Sequence, residues 1–324
     1  MYPSRTQISG HHETHRSSTD MEDDDCGISD LASTISRVSL DSPHSSSYNW
    51  EKGVSEEAVD RSIPNSHDPT AWDPDHVRLM QHISRRGSEP LLPQYYKFDY
   101  RFLPDKLFSP DNNAVLASSR GHHTRGIKAL ERLFELGAWV RDREDLAGRI
   151  TPEEQIKRQL TAFIKWAEED AGLDPRTAIP VVALEMKPPG TTAVQLQENA
   201  RCKMERLAER YADAFRVEDS IETTPQSTRS SARLARPVPQ IYCIIALGTT
   251  AALVAHRPQD RERPTPLVAQ FDFKDKEYDA WSSLALAIIV CHARDVQRRI
   301  AEDTGVGQKR YCGEVMTMVD DPDR

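Results

Sequence analysis

The chain has 324 residues, 38% apolar and 29% charged, with a mean hydropathy of -0.64, which is polar for a chain folded from end to end. Its 42 basic and 51 acidic residues give a net charge of -9, and residues 1–90 hold 8 of the basic and 16 of the acidic groups, so the remainder is near neutral and can still gather cations for nucleic acid on one face. No run reaches the roughly 18–20 apolar residues of a membrane helix, the N-terminus lacks an apolar signal core, and five scattered cysteines without a CxxC argue for a reducing compartment. The expectation is an intracellular protein, nuclear or cytoplasmic, with no membrane association.

Residues 1–90 are rich in Ser, Asp, His and Pro, with an acidic patch at Asp20-Met-Glu-Asp-Asp-Asp25. Such a composition buries too little apolar surface to offset chain entropy of roughly 1–2 kcal/mol per residue, so a disordered tail is expected. Within it, Arg85-Arg86-Gly87-Ser88-Glu89-Pro90 places Arg three before a Ser and Pro two after. This resembles a basophilic kinase site, which makes phosphorylated Ser88 a candidate ligand for a 14-3-3-type partner.

From residue 91 to about 305 the texture is that of a folded domain. Tyr95 to Phe102 (YYKFDYRF) reads as a strand ended by Pro104. Ile127, Leu130, Leu133 and Phe134 recur at helical spacing, predicting a helix from Gly126 to about Arg141. Thr151-Pro152-Glu153-Glu154 is a capping box that opens a second helix, stopped by Gly172. Ala178 to Lys187 (AIPVVALEMK) reads as a buried strand whose end presents Glu185 and Lys187 on one side. Thr192 and Gln195 cap a long helix along Leu196, Ala200, Met204, Leu207, Tyr211 and Phe215. Residues 218–238 read as a mobile polar insertion, and 241–247 with 251–256 as a hairpin about Gly248-Thr249-Thr250. Leu267 to Phe273 predicts a further strand, Asp279 caps a final helix to about Ile300, and 306–324 is expected to be a flexible C-terminus. The whole is a mixed α/β domain without internal repeats.

Phosphodiester hydrolysis needs a divalent cation held by carboxylate oxygens. Glu185 supplies one carboxylate, Lys187 a cation able to orient water, and a neighbouring strand must supply a second carboxylate. Asp99 is the first choice, with Asp105 and Asp174 as the other options. Two D/E-x-K triplets occur, Glu185-Met186-Lys187 and Asp272-Phe273-Lys274, where about 1.7 are expected by chance. The first is preferred because a capped, basic helix follows it. His122-His123 reads as a surface loop, Cys291 and His292 as core or boundary residues of the last helix, and no GxSxG, P-loop, GxGxxG or HExxH occurs.

The order of Asp-bearing strand, apolar strand ending in E-x-K, helix with Gln195 and Gln197, then further strands resembles the PD-(D/E)XK nuclease superfamily, in particular its divergent fungal members, over roughly residues 95–300. The resemblance implies a restriction-endonuclease-like mixed sheet flanked by helices, and a nuclease using Mg²⁺ or Mn²⁺. It makes Asp99 and Glu185 metal ligands, the Met186 carbonyl a third ligand, Lys187 the water-orienting cation, and Gln197, Arg201 and Lys203 contacts to nucleic acid. The alternative is a catalytically inactive nuclease-like interaction module with a phosphorylatable tail.

Overall fold

The structure is a computed structural model and describes residues 73–110, 114–121, 123–146, 148–187, 190–217, 234–258 and 265–309. The expected tail up to residue 72, the insertion over 218–233, His122 and residues 310–324 lie outside the described residues. The order is α1 (Pro74–Ser84), β1 (Leu92–Pro93), β2 (Phe108–Ser109), α2 (His123–Phe134), α3 (Leu136–Leu146), α4 (Pro152–Ala171), β3 (Val182–Met186), α5 (Ala193–Ala214), β4 (Ile241–Leu247), β5 (Thr250–His256), β6 (Leu267–Asp272) and α6 (Asp279–Thr304). The chain is a mixed α/β protein. A four-stranded sheet runs β3-β4-β5-β6, with β3 parallel to β4 and the other pairs antiparallel.

Helix α6 is the centre of the core. Every residue from Leu284 to Cys291 is buried, so this stretch is apolar on all sides and needs partners all round. Helices α1, α2, α3 and α4 pack against it. On β4, Tyr242 points toward α1 and α6, where its hydroxyl bonds His76 Nδ1 at 3.1 Å and its ring meets that of His292. Because strand side chains alternate, neighbouring Cys243 lies on the opposite face, the face covered by α5.

The capping boxes are formed as the sequence predicts: Thr151 with Glu154 opens α4, and Thr192 with Gln195 opens α5. Four expectations change. First, folded structure begins before residue 90: α1, opened by Asp73 and Pro74, buries His76, Leu79 and Ile83 against α6. Three buried residues cannot lift a polar 90-residue average, which is why composition hides this helix. Second, Tyr95 to Phe102 forms a 3₁₀ helix (Gln94–Phe98) and a turn. Tyr96, Tyr100 and Leu103 are buried while Phe98 and Phe102 are exposed, a helical spacing of four and three that overrides aromatic β propensity. Third, the helix expected over 126–141 is two, α2 and α3, which meet at Glu135. Asp279 also does not cap α6; its carboxylate pairs with Arg141 and lies where a Cβ on Gly137 would stand, so a side chain at 137 would push it from that pair.

Two polar clusters sit within the helical layer. Arg294 of α6 pairs with Asp170 at 3.2 Å, with side chains 4% and 1% exposed. Asp170 also accepts bonds from the Ser118 hydroxyl and the Ser119 N–H, and Arg294 donates to the Ala117 carbonyl, so the pair ties the loop before α2 to α4 and α6. Arg294 Nε also pairs with the half-exposed Asp295 at 3.0 Å, so removing Asp170 leaves the guanidinium one carboxylate and takes away its buried one, whereas removing Arg294 strands Asp170 in the core. Asp170→Ala, which leaves Arg294 its bond to Asp295, is expected to lower the unfolding free energy by about 2–3 kcal/mol, measured by denaturant titration. A cost under about 1 kcal/mol would show the pair to be dispensable.

The second cluster predicts a pH dependence. Burial holds His76 and His292 neutral, each with its pKa pushed down to about 4, and positive neighbours (Arg257 for His76, Arg299 for His292) act in the same direction. Asp75 and Asp295 oppose the shift at His292, and His82 adds to it. The unfolded chain takes up these protons near pH 6.5 and the folded chain only near 4, so stability is full above about 6.5 and falls as pH drops toward 4. Unfolding titrations from pH 7.5 to 4.5 should show this decline, flattened in His76→Gln and His292→Gln. A profile that the substitutions leave unchanged would assign the decline elsewhere.

Candidate functional site

Among the described residues β3 is an edge strand, paired with β4. Lys187 donates its N–H to Ala246 O and Tyr242 donates to Val181 O, so the odd-numbered residues of β3 turn their backbone groups to β4. The even-numbered residues therefore turn theirs to the open edge. At that edge Lys203, from α5, donates to the Leu184 carbonyl at 2.6 Å and to Glu185 Oε2 at 3.1 Å. The Glu185 side chain is 19% exposed and that of Lys203 43%.

Helix α5 sets this geometry. Its buried stripe of Leu196, Ala200, Met204, Leu207, Ala208 and Tyr211 lies on the sheet, and Lys203, one residue before Met204, projects from the margin of that stripe toward β3. Asn199, Cys202 and Arg206 join Glu185 and Lys203 around an open depression of about 260 Å³. The Cys202 thiol donates to Glu198 at 3.3 Å, and this carboxylate raises its pKa, so Cys202 is held as a thiol rather than a nucleophilic thiolate.

The Glu185–Lys203 pair brings one carboxylate to a cation, and among the described residues no second carboxylate lines their depression. The neighbouring strand, IYCIIAL, contains none. Asp99, the expected metal ligand, is an exposed residue ending the 3₁₀ helix Gln94–Phe98, and it does not line the depression at Glu185. Asp105 pairs with Lys97 at 2.9 Å beside a separate cavity of about 290 Å³ lined by Gln94, Phe98, Arg101 and Leu103. Asp174 accepts the Arg176 N–H in a turn held to Gly307. Among the described residues, no group of three His, Cys, Asp or Glu side chains could hold a metal ion.

The expected nucleic-acid contacts fare as follows. Arg201 is taken by Glu198 and Glu205, each at 2.6 Å. Lys203 is taken by Glu185 and Leu184. Gln197 is half-buried, its Oε1 enclosed without a hydrogen-bond partner. Lys187 shares the Glu185 side of β3 by alternation and forms no ion pair among the described residues. Ser88 lies not in a disordered tail but in a folded turn after α1, exposed, its hydroxyl donating to the Arg85 carbonyl. His123 packs its ring on Tyr95; Cys291 is fully buried and His292 half-buried at the margin of the core, as expected.

Sequence reasoning named Lys203 as a contact to nucleic acid and missed its partner. The available signal was spacing: a lysine on the helix following the E-x-K strand, adjacent to the apolar stripe, reaches back to that strand. No helix among the described residues is long and apolar enough to cross a membrane. Comparisons with protein-family models, with curated proteins and with solved structures find no match for this chain.

The pair is partly solvated, so its coupling is modest. A double-mutant cycle of Glu185→Gln and Lys203→Met is expected to give about 0.5–1 kcal/mol by denaturant unfolding. Strict additivity would mean that the two charges do not support each other.

Proposed function

We propose that this chain is a non-catalytic interaction module built on a nuclease-like, restriction-endonuclease-type α/β domain. The observation that carries the reading is the ammonium of Lys203, which spans Glu185 Oε2 and the Leu184 carbonyl. Carboxylate and strand carbonyl oxygens are the donors a hard divalent ion takes, and here a side chain of the protein neutralises them instead. The edge strand has no carboxylate across from Glu185 to complete a two-carboxylate site, and Arg201 of α5 is spent on acidic neighbours. The competing reading, an Mg²⁺- or Mn²⁺-dependent phosphodiester hydrolase acting on nucleic acid through Asp99, Glu185 and Lys187, rests on the E-x-K strand and on Glu185 and Lys187 sharing one side of it.

The test is a titration of Mg²⁺ and Mn²⁺ into the full chain, wild type beside Glu185→Gln, read by thermal shift and by cleavage of single- and double-stranded DNA and RNA. The expected result is no metal-dependent stabilisation and no cleavage in either protein. Stabilisation and cleavage in the wild type that disappear in Glu185→Gln, a change of charge with little change of shape, would establish the hydrolase and overturn the module.

A further inference from the structure

Helix α1 is held to the domain by Leu79, Ile83 and His76, and its last turn is secured by a polar knot. The Arg85 carbonyl accepts three bonds: the Ser88 N–H at 2.8 Å, the Glu89 N–H at 3.0 Å and the Ser88 hydroxyl at 3.1 Å. The Arg85 guanidinium pairs with Glu89 at 3.0 Å, and His82 of the same helix meets the same carboxylate at 3.3 Å. Arg86, largely buried, bonds the Trp281 carbonyl of α6 at 3.0 Å and the Ile83 carbonyl at 2.7 Å, and Gly87 lies against the Trp281 ring. Within this knot Ser88 is exposed and Arg85 has 64% of its side chain in solvent.

We propose that Ser88 is a phosphorylation site and that phosphate there loosens α1 from α6. An Arg-directed protein kinase, whose peptide groove carries acidic side chains, reads Arg85 three residues before the hydroxyl. The kinase transfers the γ-phosphoryl group of Mg·ATP. The Ser88 Oγ–P bond forms, the bond from the γ-phosphorus to the β,γ-bridging oxygen breaks, ADP leaves with that electron pair, and the hydroxyl proton passes to the kinase's base.

Three consequences follow from the geometry. The modified oxygen no longer donates to the Arg85 carbonyl. A charge of roughly -1.5 to -2 arrives at a helix C-terminus, where the dipole is already negative. It also stands beside Glu89, repelling that carboxylate and competing with it for Arg85. Each of these weakens the last turn of α1, and with it the bonds through which Arg86 fastens the turn to α6. This inference is independent of whether Glu185 supports catalysis.

The experiment treats the full chain with a purified Arg-directed kinase and Mg·ATP, maps phosphate by mass spectrometry, and compares hydrogen exchange over residues 74–84 before and after. Expected are incorporation at Ser88 and exchange in α1 faster by roughly tenfold, both absent in Ser88→Ala, with Ser88→Glu moving exchange in the same direction by less. Stoichiometric phosphate with unchanged or slower exchange would overturn the release of α1. Failure to modify Ser88 in the folded chain, while a peptide spanning residues 82–92 is modified under the same conditions, would overturn the site itself.

Discussion

The buried ion pair between Arg294 and Asp170 is the constraint around which the helical layer is arranged. Helix α6 is apolar on all sides through Cys291, so it must be enclosed, yet the next turn carries a guanidinium into the same enclosure. A lone buried cation would cost several kcal/mol, and only a partner with further hydrogen bonds offsets it. Asp170 is the buried one of its two carboxylate partners, the half-exposed Asp295 being the other, and it sits at the end of α4 because α4 packs along α6. The loop before α2 then closes over the pair by contributing Ala117, Ser118 and Ser119, so one ionic contact fixes the mutual placement of two helices and a loop. Gly172, in the left-handed conformation one residue after α4, ends the helix with the Arg120 guanidinium filling the space a side chain would need.

A similar economy governs the sheet edge. An edge strand exposes unpaired backbone groups and invites further pairing, and proteins blunt such edges with charge. Here Lys203 performs two tasks with one ammonium: it satisfies an edge carbonyl of β3 and neutralises Glu185, which would otherwise stand half-buried beside an apolar strand. The arrangement explains a carboxylate on β3 without invoking catalysis. It also couples α5 to the sheet by a polar contact beyond its buried stripe.

Much of the architecture was legible where a local signal had a local cause. The two capping boxes, Gly172 and the hairpin turn act through neighbours three or four residues away, so the helices after Thr151 and Thr192 and the strands around Gly248 could be read directly. The 3₁₀ segment was misread because aromatic content suggests a strand, whereas the burial of Tyr96, Tyr100 and Leu103 depends on α2 and its neighbours packing beneath them. Helix α1 was hidden in a polar average. The candidate site was legible in part: strand alternation placed Glu185 and Lys187 on one side, and the helix after them brought a lysine to the strand. Whether Asp99, Asp105 or Asp174 approached Glu185 depended on tertiary placement, which spacing along the chain does not encode. The structure gives each of the three a different setting, an exposed turn, the Lys97 ion pair and a turn held to Gly307.

The E-x-K strand shows what a short motif does and does not specify. Two residues apart on a strand fixes a shared side, and nothing more. Metal-assisted hydrolysis requires that separate elements converge with oxygen ligands while leaving room for the ion and for water. At Glu185 the element that converges is α5, and what it delivers is positive charge. A lysine in that position makes a divalent ion redundant for charge balance and obliges any ion to displace an ammonium already hydrogen-bonded to a carboxylate and a strand carbonyl. Binding a metal there would cost both of those bonds, because the ion would take the same carboxylate and carbonyl oxygens that Lys203 already holds.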